Sequence, residues 1–209
     1  RRELEMNGQY PAPTCLSKNE ERHDATIFPR GTSIDDVYFH ITNILGLNVQ
    51  HVEQFESRIK IHARKNSLSS IYGLGQQPFH TDFATEVRPA KYVALVRTKP
   101  VKACTTFIDL EPIFQTAQSS NALFACTVPV ESRIRTIRLP SDRPLRINSV
   151  VYRPVNRAAE YATQLLPSAP IAFTAHWEQT LAVMFNNHRY AHARGPIEHG
   201  SPIERWRIH

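Results

Sequence analysis

The stretch QPFHTDFA sets His80 and Asp82 two positions apart, behind the apolar Phe79 and ahead of Phe83 and Ala84. On an extended strand, residues i and i+2 share a face. An imidazole nitrogen and a carboxylate oxygen would then project side by side, able to take adjacent corners of one metal ion. The same pair is also common as a solvated feature of a surface strand, so a third ligand must come from elsewhere. NNHRYAHARG supplies two candidates, His188 and His192, at even spacing from one another. His192 follows the apolar run LAVMF, which a folded sheet could carry back across to the first pair. Close behind, Arg205 and Arg207 of IERWRIH fall on one strand face, and a guanidinium fork matches a carboxylate at two points.

The elements that must position these residues are mostly strands. KYVALVRT, RIKIHA, RIRTIR and LRINSVVYR alternate or are rich in β-formers, and IAFTA and LAVMFNNHRYAHA return to that pattern. Residues 33 to 46 differ, with Ser33 as a cap, apolar Ile34, Val37, Tyr38, Ile41 and Leu45 at helical spacing, and Gly46 as the stop. Further helices are predicted at Val49 to Phe55, in EPIFQTAQSSNALFACT and in NRAAEYATQLL. The first thirty-two residues are polar and Pro-punctuated and read as an N-terminal extension, with residues 33–209 as the domain. Together these elements predict a mainly β, α+β chain: an antiparallel sandwich or barrel wrapped by helices.

Composition sets the bounds. At 209 residues, 41% hydrophobic and 21% charged, the chain can bury one real core. Its formal charge of +6 favours an anionic partner, and seven arginines lie between Arg133 and Arg157. They are spaced at strand-like alternation among prolines with no interleaved aromatics, which argues against nucleic-acid binding. Cys15, Cys104 and Cys126 form neither a disulfide framework nor a zinc ribbon and read as reduced. No long apolar run suggests a membrane span, and the first residues lack the apolar core of a secretory signal, so a cytoplasmic protein is expected. GxSxG, P-loop and GxGxxG motifs are absent.

FHTD, KYVALVRTKP, TTFID, NNHRYAHAR and ERWRIH, in that order, resemble the Fe(II)- and 2-oxoglutarate-dependent dioxygenases of the taurine dioxygenase and clavaminate synthase type, over roughly residues 66–209. Two imidazoles and one carboxylate on one face of an ion leave three positions open, as non-haem Fe(II) oxygenases require. The resemblance implies a distorted double-stranded β-helix, or jelly roll, with Fe(II), 2-oxoglutarate and dioxygen at one open end. It implies His80, Asp82 and His192 as iron ligands. Thr105, with Thr106 as fallback, would bond the distal carboxylate of 2-oxoglutarate, paired by Arg205 or, second, Arg207. Asn187, Arg189 and Arg194 match an NxRxxHxR frame that orients His192. The implied activity is hydroxylation or desaturation of an unactivated C–H bond in a small molecule, such as an amino acid or specialised metabolite, with succinate and CO2 as co-products. An intact carboxylate at Asp82 argues against the halogenating relatives, in which a small residue stands there.

The chain departs from the pattern at Ala193, where glycine is frequent, and at Ala103 and Cys104, where a glycine pair usually precedes the threonine. The interval from Asp82 to His192 is shorter than in the larger members, which implies a more open site. Substrate contacts would come from Asn66 to Gln77 and Phe83 to Arg88, with Gln76 and Arg88 the polar candidates. Two other readings stand beside this one: the same chemistry on a protein or nucleic acid, using the arginine-rich region, and a jelly-roll binding module without turnover. Trp177 and Trp206 read as core or rim aromatics.

Overall fold

A computed structural model describes residues 14–15, 24–56, 67–86, 88–118, 121–126, 136–138, 146–198 and 202–209. Its strands are β1 (Thr14–Cys15), β2 (Ala25–Pro29), β3 (Val49–Glu56), β4 (Tyr92–Val96), β5 (Cys104–Asp109), β6 (Leu123–Cys126), β7 (Thr136–Arg138), β8 (Tyr152–Pro154), β9 (Ile171–His176), β10 (Thr180–Asn186), β11 (Tyr190–Arg194) and β12 (Pro202–Ile208). Four α-helices accompany them among the described residues: α1 (Ile34–Phe39), α2 (Leu68–Tyr72), α3 (Glu111–Gln118) and α4 (Arg157–Leu165). All described pairings are antiparallel. They form a six-stranded sheet ordered β1-β2-β10-β4-β12-β3, a three-stranded sheet β11-β5-β9, and a smaller sheet β7-β6-β8.

Side-chain alternation sorts the core into layers. Ala94, Val96, Ala182, Met184, Trp206 and Ile208 leave one face of the six-stranded sheet and bury Val37 and Ile41 from the α1 segment. Val93, Leu95, Val183 and Phe185 leave the other face and meet Phe107, Ala175, Trp177 and Tyr190. Behind that layer, Ile108 and Ala191 pack against Ile113 and Phe114 of α3 and Ala159 and Ala162 of α4. The chain is therefore mainly β with few helices, two sheets facing one another with a helical layer outside each.

Local chemistry explains most element ends. Ser33 Oγ accepts from the Asp36 backbone N–H at 3.0 Å, while the Asp36 carboxylate accepts from the Ser33 N–H at 3.2 Å, a reciprocal capping box. The helix widens into a π-turn over His40–Ile44 and stops at Gly46, whose φ of +63° favours glycine. Asn156 caps α4, its side chain accepting from the Ala159 N–H at 3.0 Å.

Three expectations are corrected. Val49 to Phe55 is not helical; it forms β3, because β12 pairs along its whole length and tertiary pairing overrides a short helical pattern. The predicted helix after Glu111 ends within the first half of its stretch, and Leu123–Cys126 is strand, following a left-handed Asn121 at φ +51°. Arg146 to Val151 is a turn built on Asn148: its carbonyl accepts from Val151 and Tyr152, and its side chain accepts from the Val150 N–H at 3.0 Å. RIKIHA lies outside the described residues, as do residues 133–135 and 139–145 of the arginine-rich region. Within the stretch read as an extension, Ala25–Pro29 is β2, paired with β10 inside the main sheet. No helix among the described residues is long and apolar enough to cross a membrane.

Candidate metal centre

The HxD pair does not lie on a strand, which corrects the reading of its geometry. His80 makes one isolated bridge to His192, with backbone N–H···O distances of 3.0 and 2.9 Å in the two directions, and Asp82 opens a turn. The two side chains converge because long-range bonds fix the backbone between and after them. Thr81 exchanges bonds with Ile147: its N–H donates to the Ile147 carbonyl at 2.7 Å, and its hydroxyl accepts from the Ile147 N–H at 3.0 Å. Asn187, in the turn between β10 and β11, grips Asp82 from both sides. Its carbonyl oxygen accepts from the Asp82 N–H at 2.9 Å, and its amide donates to the Asp82 carbonyl at 3.0 Å and to the Ala90 carbonyl at 3.1 Å. The turn that delivers β11 therefore also sets the place of Asp82.

His80, Asp82 and His192 are all buried, and each offers a ligand atom within 4.8 Å of the others. The two imidazole centroids are 4.2 Å apart. His192 Nε2 stands 3.7 Å from Asp82 Oδ2, too far for a hydrogen bond. Asp82 Oδ2 and His192 Nδ1 are buried polar atoms with no hydrogen-bond partner. Such atoms are costly to bury unless something else satisfies them, and a cation among the three side chains would. His80 Nδ1 lies 3.0 Å from the Pro78 carbonyl; as a donor there, it leaves Nε2 with its lone pair for a metal.

Electrostatics agree. Burial holds His80 below the usual histidine range, with Asp82 opposing. Burial, then His80, pushes His192 down to about 3. Both rings are thus neutral near pH 7, the state in which imidazole ligates. Burial would raise the Asp82 carboxyl, yet Arg205 and the two histidines outweigh it and hold it below the usual carboxylate range.

Arg205 sits on this carboxylate. Its Nη1 donates to Asp82 Oδ1, while Nη2 and Nε donate to Glu53 Oε2, the latter at 3.2 Å. One oxygen of Asp82 is therefore engaged and the other is the partnerless one. Arg207 donates to Glu86. Both guanidiniums flank the Phe83 ring, their central carbons 4.4 and 4.2 Å from its centroid. Phe83 itself takes a left-handed φ of +55°, a strained backbone state for an aromatic residue.

Thr105 is buried on the face of β5 that carries Phe107, opposite His192, and its hydroxyl accepts from Trp177 Nε1 at 2.9 Å. Thr106 points to the other face. His188 is turned away, its Nε2 3.1 Å from the Pro89 carbonyl. Arg189 is paired with Asp24 and Asp109, and Arg194 donates to the carbonyls of Gly73 and Gly75 at 2.7 and 3.0 Å. Gln76 and Arg88 are exposed, whereas Gln77 is buried. Cys104 and Cys126 are free thiols. Glu53 is not among the residues expected from sequence, and Phe83 and Glu86 enter there only within the Phe83 to Arg88 segment. Glu53 was hidden by the helix expected there; with β3 and β12 paired, Arg205 opposite Glu53 would have been found.

No protein-family model matches the chain, and no curated protein does. Solved structures do. The non-haem iron oxygenase OrfP in complex with Fe is 17% identical, with a TM-score of 0.52 over 75% of this chain and 56% of that one. The PvcB protein from Pseudomonas aeruginosa is 13% identical, with a TM-score of 0.50 over 85% of this chain and 72% of that one. Asparagine oxygenase is 18% identical, with a TM-score of 0.49 over 64% and 49% of the respective chains. The chain spans about half the length of the asparagine oxygenase and OrfP structures it matches. At these identities the likeness is one of fold.

Proposed function

We propose that the chain is an Fe(II)- and 2-oxoglutarate-dependent oxygenase, acting on a C–H bond of a small molecule, on a double-stranded β-helix. The observation that carries this reading is the buried His80, Asp82 and His192 set, whose ligand atoms lie within 4.8 Å of one another and whose Asp82 Oδ2 has no hydrogen-bond partner among the described residues. One carboxylate and two neutral imidazoles suit iron with open positions better than a closed structural zinc site, which favours thiolates. Fold likeness to OrfP, described as a non-haem iron oxygenase in complex with Fe, supports both the jelly-roll topology and the metal.

Bound iron, 2-oxoglutarate and dioxygen would supply the oxidising power, with succinate and CO2 as co-products. The residues of this chain do the rest. His80, Asp82 and His192 hold the ion, and Arg205, bonded to Asp82 Oδ1, turns Oδ2 toward it. Asn187 and Thr81 keep the turn at Asp82 from relaxing. Thr105 offers a hydroxyl for the distal carboxylate of the cosubstrate, with Arg205 and Arg207 as the cations nominated from sequence. Around Phe83 stand two acids, Glu53 and Glu86, and two bases, Arg205 and Arg207. A surface offering both signs suits a small zwitterion such as an amino acid, with Gln76 and Arg88 as outer contacts. Anaerobic addition of Fe(II) and 2-oxoglutarate should give the weak visible charge-transfer band of the chelate; metal bound with no band would overturn the reading.

A further inference from the structure

Directly after Asp82 the backbone enters a state that few side chains accept. Phe83 and Asn121 are the non-glycine residues with a left-handed backbone among those described, and Phe83, at φ +55°, is the one that follows a metal ligand. The turn is closed by the Glu86 N–H, which donates to the Phe83 carbonyl at 3.0 Å. A β-carbon makes this state costly, and it persists only where surrounding contacts fix it. Here those contacts are charged. The central carbons of Arg205 and Arg207 lie over the Phe83 ring, 4.4 and 4.2 Å from its centroid.

The two arginines are residues i and i+2 of β12, so they rise from one face of the strand about 6.7 Å apart. Like charges at that spacing repel, and each needs an acid. The turn DFATE supplies two: Asp82 accepts from Arg205 and Glu86 accepts from Arg207, while Glu53 on β3 also accepts from Arg205. A carboxylate of aspartate and one of glutamate are close equals toward a guanidinium, so charge alone does not decide which acid takes which arginine. The ring of Phe83 is the contact that both arginines share. Its face is negative and attracts each of them, and it stands between the two acids in the turn. Were Arg205 to pair with Glu86 instead, Asp82 Oδ1 would lose its donor and the carboxylate would be free to rotate.

Resting on the function proposed above, we infer that Phe83 is a positioning residue of the metal centre: its ring keeps Arg205 on Asp82 and Arg207 on Glu86, and so keeps Asp82 Oδ2 available for the metal. The left-handed backbone is what brings the ring beneath both guanidiniums. Phe83 also packs against the apolar layer of Val93, Leu95 and Phe107, and experiment must separate that packing from the sorting of charges.

Fe(II) dissociation constants are measured by anaerobic titration of the full, metal-free chain without cosubstrate. Phe83→Leu keeps an apolar side chain and removes the π face; it should weaken Fe(II) about 10-fold, the lower end of the loss for an outer partner of a metal ligand. Phe83→Tyr, which keeps the face, should stay within about twofold of wild type. Should Phe83→Leu fold poorly, Phe83→Gly, which accepts the left-handed backbone without strain and has no ring, should show the same loss. The decisive comparison is the double variant with Arg205→Met, or with Arg205→Gln if the first folds poorly. In that background the Phe83 change should alter Fe(II) affinity by less than about twofold, because the arginine through which the ring acts is already gone. Unchanged or tighter Fe(II) binding in the ring-less variants, or a further 10-fold loss on top of the Arg205 variant, overturns the inference while wild-type binding of Fe(II) upholds the metal centre. If the wild-type chain binds no Fe(II), both fall together.

Discussion

The two faces of β12 give the same strand two kinds of work. Trp206 and Ile208 turn outward from the sheet interior and join an apolar layer with Phe28, Val37, Ile41 and Met184. Arg205 and Arg207 turn inward and meet Asp82, Glu53 and Glu86 around Phe83. The outer face gains from area removed from water, at about 25 cal/mol per Å² of apolar surface, and tolerates changes of shape that keep its volume. The inner face buries charges, which is expensive unless each is paired, and its value lies in the geometry it enforces rather than in stability. Substitutions on the two faces should therefore fail in different ways.

The largest effect should come from the metal ligands. His80→Ala should abolish turnover and lower Fe(II) affinity by more than about 100-fold, beyond the loss typical of outer partners, with a thermal midpoint close to that of the metal-free wild type. Collapse of the fold would instead make the metal structural. Phe28→Ala, on the outer layer, should do the opposite: it should cost about 3–5 kcal/mol of stability in a denaturant titration, while the folded fraction keeps its Fe(II) affinity. Asn187→Ala tests the link between backbone and site. Removing its three bonds to the Asp82 and Ala90 backbone should weaken Fe(II) by about 10- to 100-fold; unchanged affinity would mean that the turn holds Asp82 unaided.

The smallest effect is a pH slope in the metal-free protein. His192 is held at about 3 when folded by burial and by His80, against an unfolded value of about 6.5. Between those values the unfolded chain binds a proton that the folded chain refuses, so stability falls as the pH is lowered through that window. His80 and the depressed Asp82 carboxyl act in the same direction. Denaturation curves between pH 7 and pH 4 should show up to about 1.4 kcal/mol per pH unit from His192 alone, flattened by His192→Gln. A wild-type curve that is already flat would mean that the ring is not buried in its neutral form.

The ligand residues were legible because their chemistry is local: HTD and NNHRYAHAR name the residue types and limit the choices to a few. His192 was separated from His188 only by a motif frame, and the fold supplies the physical ground, since a bridge joins His80 to His192 while His188 turns to Pro89. The strand reading of the HxD segment failed. Asp82 comes beside His80 through Asn187, a residue 105 positions away in the chain, and alternation within three residues carries no information about that.

The alternation of β12 and β4 and the cap at Ser33 were set by the sequence itself, because side-chain period and capping depend on neighbours within a few residues. What lies across from each inward side chain was decided by tertiary structure alone. β3 became a strand because β12 needed an edge to pair with, which delivered Glu53 to Arg205. Just past the end of β4, Arg97 came to lie over the Trp177 ring, which no local pattern foretells. Pairing between distant strands is fixed by the burial of whole faces, and a single chain read along its length does not contain it.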